Sequence, residues 1–268
     1  MTFGTRRQQS RAEPGDRHAL FAYRRRMTVR LPSSIPLRTV ALLLSGMALL
    51  AGCGEDKPAE KPKGETSRKE TAAPARVPLG KGFDFYVLSL SWSPTWCADN
   101  DEGGRTQQCR RGENNGFIVH GLWPQNDRGY PEYCATRESD RVPENLGRTV
   151  LDIIPSMGLI GHQWRKHGSC SGLSQKDYFA ATRAAFERVR IPASLDAGKG
   201  QRLSPDGVEA AFIADNPGLS AQGIAVTCEA GRLEEVRICM TADLAFRTCP
   251  QVDRAACRAK SIEQPPAR

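Results

Sequence analysis

The segment FDFYVLSLSW, at residues 83–92, is rich in aromatic and aliphatic side chains. This composition predicts a buried β-strand. Residues 93–116 are rich in Gly, Asn and Cys and indicate a loop. Phe117-Ile118-Val119 then predicts a short strand that runs into His120, with Pro124 ending the regular structure. The first part of the domain is therefore predicted to contain two strands joined by a long loop.

Helical patterns and two late strands follow these first strands. Apolar spacing predicts a helix over 145–154, ended by Pro155 and Gly158, and a short helix over 160–167. Ser174 and Asp177 form a capping pair and predict a helix that continues to Arg190. Ser204-Pro205 predicts the start of a helix that runs to about Asp215. Two late strands are predicted at 224–227 and 233–240. Because strands and helices do not alternate as βαβ units, we predict an α+β fold.

The basic charge of the chain is confined to its N-terminal part. The 268 residues carry a formal net charge of +8, and residues 1–79 account for all of it with 15 basic and 7 acidic residues. Residues 80–268 hold 23 residues of each sign. Binding of nucleic acid must therefore depend on a local site and not on bulk charge.

An export signal is predicted near the N-terminus. Residues 39–54 are uncharged and follow Arg30 and Arg38, as in a signal peptide. Leu50-Ala51-Gly52-Cys53 resembles the bacterial lipobox, whose cysteine is lipidated and becomes the new N-terminus. We expect a lipid anchor at Cys53 on the periplasmic face of the envelope; the alternative is an ordinary signal peptide and a periplasmic or secreted protein.

Composition divides the rest of the chain. No uncharged apolar run reaches the roughly 18 residues of a membrane-spanning helix, which excludes a multi-pass membrane protein. Residues rich in Lys, Glu and Pro after Cys53 indicate a disordered tether. The predicted segments are a leader and signal at 1–52, with Met27 favoured as the true start, a tether at 53–82, a catalytic domain at 83–260 and a polar tail at 261–268.

Eight cysteines remain in the predicted exported part. They are Cys97, Cys109, Cys134, Cys170, Cys228, Cys239, Cys249 and Cys257. An even number behind an export signal indicates disulfides, although spacing alone leaves the pairing open. Zinc binding is disfavoured because no C-x-x-C pair occurs.

Three histidines follow the leader, and all lie in two short segments, HGLWPQ at 120–125 and HQWRKHGSC at 162–170. On a helix, His162 and Lys166 share one face, and His167 lies about 140° from His162. Such a pair is poorly placed to bind one metal. Imidazoles exchange protons near neutral pH, and a lysine stabilises a developing phosphate charge. This set of residues suits cleavage of a phosphodiester by the 2′-hydroxyl of RNA.

FIVHGLWP at 117–124 and HQWRKHGSC at 162–170 resemble the two catalytic segments of the ribonuclease T2 family. The resemblance extends to WSPTWC at 92–97, LEEVRIC at 233–239 and Cys249-Pro250, and covers roughly residues 83–257. It implies an α+β fold with a central antiparallel sheet, flanking helices and disulfide bridges. It also implies metal-independent, endonucleolytic cleavage of single-stranded RNA through a 2′,3′-cyclic phosphate.

The resemblance also implies a role for each matching residue. His120 would be the general acid and His167 the general base, His162 would bind phosphate, and Lys166 would stabilise the transition state. Trp123 would lie against a base, for which core packing is an equal alternative, and Gln125 occupies a base-reading position. The implied bridges are Cys97–Cys109, Cys134–Cys170, Cys228–Cys257 and Cys239–Cys249.

One catalytic position departs from the family, since Gln163 stands where glutamate is usual. Glutamine keeps a hydrogen-bonding oxygen but loses the negative charge. We predict an active, monomeric enzyme without cofactors whose pH profile is altered. The alternatives are a catalytically impaired relative that binds RNA or a protein partner, and an envelope lipoprotein with a metal site.

Overall fold

The computed structural model describes residues 77–113, 115–195 and 198–267. The predicted leader, Cys53 and most of the tether lie outside these described residues. The elements, in chain order, are β1 (Phe85–Trp92), α1 (Ser93–Asn100), β2 (Phe117–Gln125), α2 (Glu144–Gly147), α3 (Met157–Lys166), α4 (Gln175–Glu187), β3 (Gln201–Leu203), α5 (Pro205–Asp215), β4 (Ile224–Glu229), β5 (Arg232–Met240), α6 (Pro250–Asp253) and β6 (Ile262–Gln264).

The strands form one mixed sheet with an antiparallel centre. Strand β1 lies between β2 and β5, and β5 pairs with β4 on its other edge, all antiparallel. Strand β6 meets the start of β5 in parallel at Arg232 and Glu263, and pairs antiparallel with β3. The predicted α+β fold with a central antiparallel sheet is confirmed.

Strand β1 is buried along its whole length because both faces of the sheet are covered. Leu88 and Leu90 belong to the larger core, between the sheet and the helices. From α3, α4 and α5 this core receives Ile160, Phe179 and Phe212, among others. Phe85 and Val87 face the opposite way and pack against the Cys239–Cys249 bridge. Burial on two sides thus explains why 83–92 has apolar residues at adjacent positions and lacks a strict polar–apolar alternation.

Two local predictions in the first part of the domain are wrong. The predicted loop at 93–116 begins with helix α1, because Pro94 lies in its first turn, where its fixed φ favours a helix. Pro124 does not end regular structure, since β2 continues to Gln125. Within the described residues β2 pairs with β1 alone, so a residue without an N–H group is tolerated at this edge of the sheet.

The helices around α3 also differ from their prediction. In place of one helix over 145–154, the chain forms the short α2 and a 3₁₀ turn at Arg148–Val150. Helix α3 begins at Met157, so Gly158 lies inside a helix and does not break one. The hydroxyl of Ser156 accepts a hydrogen bond from the N–H of Leu159 and caps this helix.

The predicted polar tail at 261–268 is part of the fold. Ile262 and Gln264 are fully buried in β6. The Gln264 side chain donates a hydrogen bond to the Leu195 carbonyl at 2.9 Å. At the other end, Lys81, placed in the tether, donates its N–H to the Ser171 carbonyl at 2.9 Å. The domain therefore extends beyond the predicted limits of 83 and 260 on both sides.

Four disulfide bridges connect the described chain. They are Cys97–Cys109, Cys134–Cys170, Cys228–Cys257 and Cys239–Cys249, the pairings that the family resemblance implies. Four bridges fit an exported protein, because the bacterial cytosol keeps thiols reduced. Within the part of the chain that the structure describes, no helix has the length and apolar character needed to cross a bilayer.

Candidate active site

His120 occupies an irregular position in β2. Ser89 of β1 pairs with Gly121, but the next residue, Leu90, pairs with Val119, so His120 is an extra residue opposite this pair. Such a bulge redirects one side chain of a strand. Val119 is buried in the main core, whereas the His120 ring contacts the Glu235 carboxylate of β5. The bulge therefore places one imidazole over the sheet.

The other predicted catalytic residues lie at the end of α3. His162 and Lys166 belong to the helix, and His167 is its C-cap residue, with its N–H donated to the Gln163 carbonyl. The Lys166 carbonyl accepts a hydrogen bond from the N–H of Tyr133 at 2.9 Å. The Cys134–Cys170 bridge closes this junction one residue beyond Tyr133. The end of α3 is thus tied to the loop that follows β2.

One cavity of about 530 Å³ brings the two segments together. It is lined by all seven predicted catalytic and substrate-binding residues: His120, Trp123, Gln125, His162, Gln163, Lys166 and His167. Tyr130, exposed in the loop after β2, also lines it. A second cavity of about 260 Å³ shares His120 and His162 with the first. These two histidines thus stand between two recesses.

Trp123 connects the two imidazoles of the predicted acid and base. Its ring lies edge-on to His120, with centroids 5.3 Å apart, and stacks on His167 at 5.1 Å. Its indole N–H donates to Oε1 of the buried Gln163 at 2.8 Å. The sequence left base contact and packing equally open for Trp123. The structure shows that the ring packs against the His120 and His167 imidazoles and also borders the cavity.

His167 is the most deeply buried imidazole of the site, with 6% of its surface exposed. Burial, and next the positive charges of Lys166, His120 and His162, lower the pKa of His167 to about 3. Burial and the nearby Lys166 and Arg165 also lower the pKa of His162. Among the described residues, the buried Nδ1 of His167 has no hydrogen-bond partner. At neutral pH, His167 is therefore a neutral ring that can accept a proton.

Two charged residues of the site, Glu235 and Arg237, are not predicted as functional residues from the sequence. Glu235 is 4% exposed, and its carboxylate contacts Nδ1 of His120 and accepts a hydrogen bond from Nε of Arg237 at 2.8 Å. The Arg237 guanidinium also lies over the Trp123 ring. The available signal was the spacing of Glu235 and Arg237. Residues two apart on a strand share a face, and a charge that is buried in a sheet requires a partner.

Lys166 has an acidic neighbour outside the catalytic set. Its ammonium group lies 3.6 Å from the Glu132 carboxylate, and both side chains are partly exposed. A phosphate entering the cavity can therefore compete with Glu132 for Lys166. No group of three or more His, Cys, Asp or Glu side chains in the described ranges is arranged to hold a metal ion.

The central antiparallel sheet defines an α+β protein, and three histidines and a lysine line one of its cavities. Residues 83–249 match the Ribonuclease T2 family, and the chain belongs to that family.

Two curated relatives are similar in sequence. The chain is 39% identical over 146 residues to "Ribonuclease" of Aeromonas hydrophila, covering 47% of this chain and 62% of the relative. It is 34% identical over 135 residues to "Probable ribonuclease" of Haemophilus influenzae, covering 46% of this chain and 47% of the relative. The matches thus span about half to three fifths of these relatives.

A solved structure supports the fold. RNase NT in complex with 5′-AMP is similar with a TM-score of 0.54 and 23% identity. The similarity covers 69% of this chain and 100% of that chain. At this level of identity the comparison concerns the fold alone.

Proposed function

We propose that this protein is an exported endoribonuclease that cleaves single-stranded RNA without a metal, through a 2′,3′-cyclic phosphate. The observation that carries the proposal is the convergence of His120, His162, Lys166 and His167 on one cavity. Membership of the Ribonuclease T2 family and the relatives named as ribonucleases support RNA as the substrate. Two of the three imidazoles are enough for the proton transfers, because a transfer by the 2′-hydroxyl needs one base and one acid.

The two proton transfers are assigned to His167 and His120. Neutral His167 takes the proton of the 2′-hydroxyl while the 2′-oxygen forms a bond to phosphorus. The bond from phosphorus to the 5′-oxygen breaks, and protonated His120 gives its proton to that oxygen. The products are a 2′,3′-cyclic phosphate and a free 5′-hydroxyl. His120 then regains a proton from water and His167 loses one.

His162 and Lys166 are assigned to the phosphate itself. Both line the cavity beside the imidazoles, and Lys166 exchanges its Glu132 partner for a phosphate oxygen. Positive charge placed where negative charge develops lowers the barrier. The two recesses that share His120 and His162 have room for a nucleotide on each side of the scissile phosphate. Trp123 and Gln125 lie in the larger one and are assigned to the base.

Export and attachment form a further part of the proposal. The signal-like stretch at 39–54 and the lipobox-like Cys53 support a lipid-anchored protein on the periplasmic face of the envelope. The tether between Cys53 and the domain would let the cleft reach RNA away from the membrane. We propose that the protein acts as a monomer, since the described chain supplies every residue assigned to the reaction.

A catalytically impaired RNA- or protein-binding relative is the alternative, because Gln163 lacks the charge of the usual glutamate. The contact of Gln163 favours the active enzyme. Its side-chain oxygen accepts the hydrogen bond from Trp123, a task that needs an acceptor but no charge.

The test uses the full chain and one single-stranded RNA oligonucleotide, with and without EDTA. The proposal expects products with 2′,3′-cyclic phosphate ends in both conditions, and no cleavage of the same RNA carrying 2′-O-methyl groups. His120→Ala and His167→Ala should each lower kcat by about 10²- to 10⁴-fold, the usual contribution of an acid or base. Cleavage abolished by EDTA contradicts the proposal, and binding without cleavage supports the impaired relative.

A further inference from the structure

Glu235 is a carboxylate buried in the middle of the sheet. It lies on β5, opposite Ser91 of β1 and Thr227 of β4. Its two oxygens have different partners. Oε1 contacts Nδ1 of His120, and Oε2 accepts a hydrogen bond from Nε of Arg237 at 2.8 Å and lies 2.7 Å from Nη2 of the same guanidinium. Buried charges are rare in proteins unless they are paired. Both oxygens of Glu235 are therefore committed to neighbours in the active site.

We propose that Glu235 is a positioning residue, which holds His120 in the orientation and protonation form required to donate a proton, while Arg237 holds Glu235. The inference rests on the proposed function, because it assumes that His120 is the general acid.

The hydrogen-bonding chemistry of the carboxylate supports this role. An ionised carboxylate only accepts hydrogen bonds, so Nδ1 of His120 must carry a proton, and Nε2 is the nitrogen left for substrate. A carboxylate behind a histidine fixes its tautomer and orientation in many acid–base and metal sites. Burial alone raises the pKa of Glu235, but the hydrogen bond and charge of His120, together with Arg237, hold that pKa at about 2. Glu235 thus stays ionised over the working pH range.

The charges around His120 show why a carboxylate is needed there. The end of α3 brings His162, Lys166 and His167 to the cavity, and, besides burial, the positive charges of Lys166 and His120 are among the causes that lower the pKa of both His162 and His167. From the sheet, β5 supplies Glu235 with Arg237 behind it, and the paired positions of β1 and β4 are the uncharged Ser91 and Thr227. Without Glu235, a positive charge on the His120 ring would be repelled by the positive charges on α3.

The first test is Glu235→Gln in the full chain. Arg237 can only donate hydrogen bonds, so it should hold the amide oxygen and turn the NH₂ group toward His120. That NH₂ group cannot accept the Nδ1 proton, which disfavours the protonated ring. We expect kcat on single-stranded RNA to fall at least about tenfold, and at most by the 10²- to 10⁴-fold that a general acid supplies. KM should change less than twofold, and the alkaline limb of the pH–rate profile should move to lower pH.

Two matched variants separate positioning from general stability. Glu234→Gln removes the same charge from the adjacent residue of β5 and should leave kcat and the pH profile unchanged. Glu235→Asp keeps a carboxylate and should restore part of the activity and of the pH profile that Glu235→Gln loses. The proposal would be overturned if Glu235→Gln and Glu234→Gln had equal kcat values and equal pH profiles. It would also be overturned if Glu235→Asp and Glu235→Gln lost the same amount of activity and neither shifted the pH profile.

A measurement on the unsubstituted protein needs neither a variant nor RNA. The ¹⁵N chemical shifts of the His120 ring report which nitrogen carries the proton, and we expect the Nδ1–H tautomer in the neutral form. An Nε2–H tautomer would overturn the proposal even if Glu235→Gln failed to fold. A protein that holds the Nδ1–H tautomer but leaves RNA intact would overturn the proposed function and still support the positioning of His120 by Glu235.

Discussion

At the scale of single residues, position 163 shows how a buried side chain can be replaced without losing its contact. Gln163 is 1% exposed, and its oxygen accepts the indole hydrogen bond of Trp123 at 2.8 Å. A glutamate could accept the same bond. What it would add is a negative charge close to three imidazoles and Lys166, all of which line the same cavity. The charge and the contact can therefore be separated by mutation.

Gln163→Glu should move the pH optimum of RNA cleavage upward. A carboxylate beside the imidazoles stabilises their protonated forms, so the acid stays protonated and the base becomes protonated at higher pH than before. A shift of about one pH unit is expected, which corresponds to about 1.4 kcal/mol of charge interaction. The measurement is kcat/KM against pH. Gln107→Glu adds the same charge at an exposed position as the control, and an unmoved profile in Gln163→Glu would refute the prediction.

Gly121→Ala should disrupt the active site without unfolding the sheet. A Cβ atom at this position would overlap both Oε1 of Gln163 and Nε1 of Trp123, the two atoms of the hydrogen bond that joins α3 to β2. We expect kcat/KM to fall by at least about tenfold, because small displacements of catalytic groups are costly. Fluorescence of Trp123 and its neighbours would report the displacement.

Gly158→Ala is the matched control for this substitution. Its Cβ would meet only the Ser156 hydroxyl at 3.6 Å, an ordinary contact. Since Gly158 lies inside α3, alanine should stabilise the protein by up to about 1 kcal/mol. Gly158 borders the second cavity, so kcat/KM can change slightly, but it should fall far less than in Gly121→Ala. Equal activity of the two alanine variants would argue against the close packing of Gly121.

At the scale of elements, the sequence predicts those parts whose signals are local. Helix α5 runs from Pro205 to Asp215 as predicted, because Ser204 caps it and Pro205 occupies its first turn. The prediction of α4 was similarly guided by Ser174, whose hydroxyl accepts the Asp177 N–H. Strands β3 and β6 could not be predicted in this way. Each has three residues, and each is a strand only because it pairs with distant chain.

The residues of the candidate site also fall into those with a local sequence signal and those that depend on contacts between distant parts of the chain. His120, His162, Lys166 and His167 could be singled out because their segments have an unusual composition. The spacing of Glu235 and Arg237 indicates that they share one strand face, but the contact of Glu235 with His120 joins residues 115 apart in sequence, and no local pattern encodes it. The bulge that aims His120 likewise depends on the register between β1 and β2.

Ile262→Ala tests whether β6 contributes to stability, against the prediction of a polar tail. Ile262 is fully buried, so truncation leaves a cavity in the core. A loss of about 2–5 kcal/mol in the free energy of unfolding is expected from denaturant titration. Glu263→Ala, at the adjacent exposed position, should change it by less than about 0.5 kcal/mol. Similar values for the two variants would mean that β6 is not a stable part of the fold.

At the scale of the whole molecule, the active site draws on distant parts of the chain, and its buried groups make the stability of the fold depend on pH. His120 comes from β2, His167 from the end of α3, and Glu235 from β5. A buried imidazole that remains neutral and a carboxylate that remains ionised bind protons differently in the folded and unfolded states. The four disulfides stabilise the domain independently of these groups, because they restrict the unfolded chain. The stability of the domain should therefore depend on pH through its catalytic groups.

The two groups act in different pH ranges. The pKa of His167 falls from its ordinary 6.5 to about 3 through burial and neighbouring positive charges, so the unfolded chain binds a proton below pH 6.5 that the folded chain does not. Folding stability therefore decreases as the pH falls from 6.5 toward 3. The pKa of Glu235 is lowered from 4.5 to about 2, so its contribution is complete above pH 4.5 and is lost as the pH falls toward 2. His167 should thus dominate the loss that begins nearer neutral pH.

Between pH 7.5 and pH 5, His167 should lower the free energy of unfolding by about 2 kcal/mol, because the two states differ in proton binding over about 1.5 pH units of that range. The measurement is denaturant unfolding of the full chain and of His167→Gln at both pH values. The variant should lose most of this dependence, since glutamine does not titrate. His162→Gln, which removes a more exposed imidazole, should lose less of it. Equal destabilisation of His167→Gln and the unsubstituted protein on acidification would mean that the surroundings do not hold His167 neutral. The electrostatic argument for His167 as the base would then be wrong.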